Sequence, residues 1–221
     1  VMGHGGLILG YGDERVLAAF QDQIPKAIHM GTCTELEIEW AELIKKIVPA
    51  ARNGLVRATA CGSEAVTMAI RLSRIYTGRN KVVVQAGSYH GTGDAMLLAY
   101  QGPPFGMCNT YGIPPGIKND IVTVPFNNLE AVEKAFAPGD VACVLLHCNN
   151  LYTKEYIEGL RKLTKQYGVV FIMDEVISGF RYAAGGAQEY YGVTPDLAIL
   201  GKVPGGGAPI GVICGKSEIL E

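Results

Sequence analysis

With 221 residues, 48% hydrophobic and 18% charged, the chain is long enough for one large domain with a well-developed core. A net charge of −2 with scattered lysines and arginines offers no basic stripe for nucleic acid and no basic amphipathic helix for a membrane surface. Apolar runs are strand-sized rather than membrane-spanning, the opening residues lack the parts of a signal peptide, and six cysteines without a CxxC pair read as free thiols, so a cytoplasmic protein is expected.

Residues 1–31 are glycine-rich and loop-like, broken by an amphipathic stretch at 13–28. Thr34 and Glu37 have the spacing of a capping box, and Leu36, Trp40, Leu43, Ile44 and Ile47 fall on one face of the helix it would open. A short strand at 55–60 leads through the turn Cys61-Gly62-Ser63-Glu64 into a helix at 65–76, with Met68, Ala69, Leu72 and Ile75 inward and Gly78 as its stop. Strands follow at 81–85, 121–124, 141–146 and 169–173, and helices at 129–136 and 154–167, the latter closed by Gly168. Residues 101–119, rich in proline and glycine, predict a long loop of the kind that is functional or mobile. Leu197-Ala-Ile-Leu200 is a last buried strand before Gly201-Lys202 and a glycine-rich turn. Strands alternating with helices of ten or more residues predict an α/β fold with a mostly parallel sheet. No repeat or linker divides the chain.

Three strand ends carry groups with chemical potential. Lys202 follows a buried strand, at the edge where open α/β sheets place their sites. A lysine desolvated there has a lowered pKa and could attack a carbonyl to form a Schiff base, although an isolated lysine in a loop is more often solvated. Asp174 ends another buried strand and needs a partner, either a protonated heterocyclic nitrogen or an arginine such as Arg181. Gly62 and Ser63 stand at a strand-to-helix turn, where free N–H groups and a hydroxyl suit a phosphate; a plain N-cap serine is the alternative. Tyr89 could stack on a ring or simply pack in its loop. A phosphate cup, an acid for a pyridinium and an amine for an aldehyde together describe pyridoxal 5'-phosphate. The four histidines lie far apart in sequence, so no metal site is expected.

The chain also carries Thr34-Glu-Leu-Glu-Ile-Glu-Trp-Ala-Glu42, Cys61-Gly-Ser-Glu-Ala65, Tyr89-His-Gly91, Asp174-Glu-Val176 with Gly179-Phe-Arg181, Tyr191-Gly-Val-Thr-Pro-Asp196 and Leu200-Gly-Lys202 with Gly205-Gly-Gly207, in that order. In these it resembles the class III aminotransferases of PLP fold type I, and within them the glutamate-1-semialdehyde aminomutase-like branch, almost from end to end. The resemblance implies a three-layer α/β sandwich and pyridoxal phosphate as cofactor. It implies that Lys202 holds the cofactor and moves the proton, and that Asp174 pairs with the ring nitrogen. Val176 would lie under one ring face, Tyr89 with His90 over the other, and Gly62 and Ser63 would bind the phosphate. The implied reaction moves an amino group between an amino donor and a carbonyl acceptor; an intramolecular aminomutase is the alternative.

Departures from the pattern bear on completeness. Leu146-His147-Cys148-Asn149-Asn150 stands where the family usually ends a strand in Glu-Pro, and the loop to Tyr156 is short. The usual Ser-Gly-Thr is Cys61-Gly62-Ser63. Residues 1–221 would form the PLP-binding large domain, with 1–31 a partial N-terminal segment and no C-terminal small domain. A second alternative is therefore a truncated, catalytically incomplete domain. The family's sites lie at a two-fold interface, so a homodimer is expected. Gly215-Lys216-Ser217 ends like a P-loop, but Ile210 occupies the place of its first glycine and excludes it.

Overall fold

A computed structural model describes residues 2–26, 31–99, 112–148 and 152–221. Seven strands form one sheet: β1 (Leu55–Thr59), β2 (Lys81–Gln85), β3 (Ile121–Val124), β4 (Val141–His147), β5 (Val170–Asp174), β6 (Leu197–Gly201) and β7 (Gly211–Gly215). Their spatial order is β1-β7-β6-β5-β4-β2-β3. Pairings from β6 through β5, β4 and β2 to β3 are parallel, while β7 runs antiparallel to both neighbours. β1 therefore points the same way as the parallel strands, and β7 alone is reversed.

The central strands are apolar up to the ends that carry His147 and Asp174, because both sheet faces are covered. Val82, Val84, Cys143, Leu145 and Ile172 pack on one side against Ala65, Val66, Ala69 and Ile70 of the helix Gly62–Thr77. Val83, Val144, Leu146, Phe171 and Met173 alternate to the other side, against the helices Leu129–Phe136 and Lys154–Tyr167. Helix, sheet and helix make the expected three-layer sandwich.

Several predicted elements coincide with those observed, including β2, β3, the helix Leu129–Phe136 and the helix Lys154–Tyr167 with Gly168 as a left-handed cap. The capping box forms: Glu37 donates its N–H to Thr34 Oγ1 at 3.4 Å and its carboxylate accepts the Thr34 N–H at 2.8 Å. Its helix, Glu35–Ile47, buries Ile44 but leaves Leu36 53% and Leu43 54% exposed. Ile75, expected inward, is also exposed, because the face that meets the sheet runs through Ala65, Val66, Ala69, Ile70 and Ser73 and Ile75 lies on the other side of the helix. β7 is an element that the sequence reading did not assign. Within 101–119, Pro115–Lys118 is one turn of helix rather than loop; residues 101–111, like Asn149 and Asn150, lie outside the described residues. Among the described residues no helix is long and apolar enough to cross a membrane.

Candidate active site

All the parallel strands run in one direction, so their carboxyl ends meet along one edge of the sheet. β1 delivers Cys61, Gly62 and Ser63; β2 delivers Tyr89, His90 and Gly91. β4 ends at His147, β5 at Asp174, and β6 hands on to Lys202. These residues line a single cleft of about 460 Å³. All seven residues singled out in the sequence (Gly62, Ser63, Tyr89, His90, Asp174, Val176 and Lys202) are in its wall.

Asp174 is 3% exposed and is the one acid lining the cleft among the described residues. A buried carboxylate costs several kcal/mol unless it is bonded. Here Oδ2 lies 2.7 Å from His90 Nδ1, and Oδ1 accepts the Val176 N–H at 3.1 Å. Burial pushes its pKa up, but His90, the His147 charge and the Val176 N–H outweigh that and hold the carboxyl below its ordinary value. The arginine alternative does not occur: Arg181 binds the Gly5 carbonyl instead. His90 and His147, far apart in sequence, meet edge to face with ring centroids 5.7 Å apart. Burial lowers the His147 pKa, and the nearby Asp174 carboxylate works against that shift without reversing it.

The neighbouring acid has a different fate. Glu175 points to the opposite side of the strand end, where it accepts the N–H groups of Ala187 and Gln188 and the Gln188 amide. It caps the short helix Gly186–Tyr191 and takes no part in the cleft. Asp196, at the far end of the sheet, is a structural clamp as well, gripped by Arg161 through two bonds of 2.7 and 2.9 Å.

Lys202 is half-buried. Burial lowers its pKa, Asp174 raises it and Arg181 lowers it, with a net shift downward. Its backbone sits at φ 62°, ψ −88°, a conformation that side-chain-bearing residues avoid at a cost of about 1–3 kcal/mol. Strained residues of this kind cluster at functional sites.

The helix Gly62–Thr77 opens on Cys61, which makes no side-chain cap bond. Ser63 is inside the first turn, so the N-cap alternative falls away. Its Oγ accepts the Thr92 N–H at 3.1 Å, which leaves its proton free to donate. The first-turn N–H groups have no intrahelical acceptors, and Gly62 and Ser63 line the cleft, so this helix start suits an anion. Two glycines permit this geometry. A Cβ on Gly62 would come within 2.9 Å of Val176 Cγ2, and one on Gly91, at φ +93°, within 2.4 Å of Ser63 Oγ. Gly91→Ala is expected to push the loop off the helix start and lower stability by roughly 3 kcal/mol. An unchanged urea midpoint would contradict this.

Comparison with known proteins decides the family. The model for "Aminotransferase class-III" matches residues 1–221. The chain belongs to the class-III aminotransferase family. It is 45% identical to glutamate-1-semialdehyde 2,1-aminomutase of Natranaerobius thermophilus, over 100% of the chain and 53% of that protein. It is 42% identical to the Archaeoglobus fulgidus enzyme of the same name, over 100% of the chain and 54% of that protein. It thus spans about half the length of the curated relatives it matches. An omega-transaminase from Sphaerobacter thermophilus superposes with a TM-score of 0.91 at 35% identity, covering 100% of the chain and 53% of that structure. A glutamate-1-semialdehyde aminomutase from Pseudomonas aeruginosa gives 0.84 at 26% identity, covering 99% and 49%.

The family's fold is the one observed, and the cleft has features the sequence reading did not assign. Gly3, Gly6 and Leu7 of the N-terminal segment form one wall, and Ile177 and Ile210 add apolar surface. His147 entered the sequence reading as a departure from a motif and proves to line the cleft. Its register opposite Asp174 follows from strand pairing that sequence periodicity does not encode. Among the described residues no cluster of His, Cys, Asp and Glu could hold a metal ion.

Proposed function

We propose that this cleft binds pyridoxal 5'-phosphate and that the protein moves an amino group between an amino acid or amine and a keto acid or aldehyde. The observation that carries this is the convergence of Lys202 and Asp174 in one cleft with a helix N-terminus in its wall. The donor set fits the cofactor part by part. Gly62 and Ser63 offer N–H groups and a hydroxyl to a phosphate. Asp174, ionised and the one lining acid among the described residues, offers its free lone pairs to a protonated ring nitrogen. Val176 and Tyr89 offer surfaces to a planar ring, with His90 behind Asp174.

When bound, pyridoxal phosphate supplies an aldehyde that condenses with amines and a ring that accepts the electron pair released from a C–H bond. The chain does the rest. Lys202, its amine deprotonated more readily than a free lysine, provides the nucleophile and then carries the proton. Asp174 would favour positive charge at a ring nitrogen, and Val176, Ile177 and Leu7 supply apolar surface to the cleft beside Lys202. The structural neighbours support the cofactor: one is a transaminase with PLP bound, another an aminomutase variant in complex with PMP.

An intramolecular aminomutase is the second reading, favoured by the names of the curated relatives at 42–45% identity. Incubating the loaded protein with an amino donor alone separates the two. Release of stoichiometric keto acid or aldehyde supports aminotransfer, and recovery of isomerised amine alone supports the aminomutase.

Residues 1–221 act in this reading as the PLP-binding large domain, working as a homodimer in the cytoplasm. The apolar Leu36, Ile38 and Leu43, exposed along the helix Glu35–Ile47, support an interface, and the unpaired thiols of Cys143, Cys148 and Cys214 suit a reducing compartment. Light scattering at the mass of one chain would remove the dimer.

A further inference from the structure

The N-terminal segment reaches the cleft as a tight glycine turn. Gly6 donates to the Gly3 carbonyl and Leu7 to the Met2 carbonyl, each at 3.0 Å, and the Gly3 N–H donates to the Tyr11 hydroxyl at 3.1 Å. Gly6 is buried directly beside the lysine: a Cβ added to it would lie 3.7 Å from both Cα and Cβ of Lys202. Leu7 leans on the glycine-rich loop from the other side, where a Cβ on Gly207 would come within 3.0 Å of its Cδ2. One turn thus walls the strained lysine.

What fastens that turn is Arg181. Its Nη2 donates to the Gly5 carbonyl at 2.5 Å, across 176 positions of chain. Gly5 sits at φ +88°, and a Cβ there would be 3.3 Å from the same nitrogen, so the backbone approaches the guanidinium as closely as a glycine allows. The arginine is itself held. It follows Gly179, where a Cβ would strike the Glu175 carbonyl at 2.8 Å and Leu200 at 3.0 Å, so its turn is seated against the end of β6. Among the described residues no carboxylate pairs with Arg181, and its Nε is buried without a hydrogen-bond partner. A part-buried guanidinium whose Nε has no partner carries a desolvation cost that its one carbonyl bond offsets only in part.

We propose that Arg181 is a positioning residue: its guanidinium pins the turn at residues 3–7 against Lys202 and so maintains the partial burial of that lysine. Two effects on the lysine amine act in the same direction. The pinned turn maintains the burial that disfavours an ammonium, and the unpaired guanidinium charge adds repulsion. Opposing them is Asp174; His147 is the other titratable group of the cleft that interacts with the lysine. The N-terminal turn and the glycine-rich loop contribute no charged side chain to the lining. The proposal gives the assigned chemistry of Lys202 more of the free amine it needs, and so rests on that reading for its meaning.

Its test uses no cofactor, so its failure and the failure of the functional reading are separate results. The apoprotein is pulsed with acetic anhydride across a pH series, and the peptide containing Lys202 is quantified by mass spectrometry. Amide hydrogen exchange is followed in the peptide covering residues 2–10. Arg181→Gln is expected to speed exchange there by about tenfold and to move the Lys202 labelling midpoint to higher pH. Arg181→Lys, which returns the charge without the forked reach, is expected to bring the midpoint part of the way back. Gly5→Ala breaks the same contact from the other partner and is expected to shift both readouts as Arg181→Gln does. It decides the matter if Arg181→Gln loses its native circular dichroism. A folded variant in which either exchange or the labelling midpoint stays at the parental value overturns the proposal.

Discussion

Treating the pyridoxal phosphate-loaded protein with borohydride is expected to fix the cofactor on a single peptide, the one containing Lys202, and Lys202→Ala is expected to abolish that labelling. The structure concentrates three uncommon properties on this residue. It is half-buried next to an ionised acid, its pKa is pulled downward chiefly by burial, and its backbone is in a strained left-handed conformation. An ordinary surface lysine has none of these. Because the same amine serves as nucleophile and as proton carrier, its loss removes two contributions at once. Amino transfer in Lys202→Ala is expected to fall by more than about 10⁴-fold, the upper range for general acid–base catalysis alone. Lys202→Arg keeps the positive charge and most of the length, and is expected to fail nearly as badly, since a guanidinium does not lose its proton. Label on another lysine, or turnover within about tenfold of the parent, would remove Lys202 from the reaction.

Periodicity and end signals made much of this fold legible. The runs at 81–85 and 121–124 are short, apolar and bounded by turn residues, and the helix at 154–167 ends on a glycine that adopts the left-handed cap. Those signals are local, and what escaped the reading is not. Gly211-Val-Ile-Cys-Gly215 is as apolar as the other strands, yet nothing in it states that it runs backwards between β1 and β6. Leu36 and Leu43 have helical spacing, but spacing specifies a face without saying what covers it; here Ile44 alone of that helix is buried by the chain's own sheet. The site divides in the same way. Asp174, Lys202 and Ser63 are strand-end and helix-start residues, visible one at a time. The bond between His90 and Asp174 spans 84 positions and depends on sheet order: β4 lies between β2 and β5, so His147 stands between the two strand ends and completes the cluster. Arg181, one of two partners open to Asp174 from sequence, goes to Gly5 instead, a proximity that depends on the N-terminal segment folding back over the sheet edge.

Asp174→Asn is expected to separate the charge of this residue from its shape. The amide has nearly the volume of the carboxylate, so the packing around it persists. Its hydrogen bonding cannot. The carboxylate is positioned to accept with one oxygen from Val176 N–H at 3.1 Å and with the other from His90 Nδ1 at 2.7 Å. An asparagine has one acceptor oxygen, and its NH₂ must then face a donor at whichever position the oxygen leaves. His90 could respond by changing tautomer, but its Nε2 is already buried without a protein partner, so a proton moved there has nowhere to bond. A cost of about 1–3 kcal/mol is expected from a buried group left unpaired, read as a lower urea midpoint of the apoprotein. The effect on turnover is expected to be much larger. The buried negative charge keeps a positive ring nitrogen favourable, and a neutral amide does not, so removal of the substrate proton is expected to slow by roughly 10²–10⁴-fold, about 3–5 kcal/mol in the barrier. Cofactor binding should weaken far less, because the phosphate end at Gly62 and Ser63 is untouched. Asp174→Glu serves as the companion variant: it restores charge while displacing it, and is expected to recover part of the rate. Parental turnover in the asparagine variant would show that the charge of Asp174 does no chemical work, leaving it a structural partner of His90.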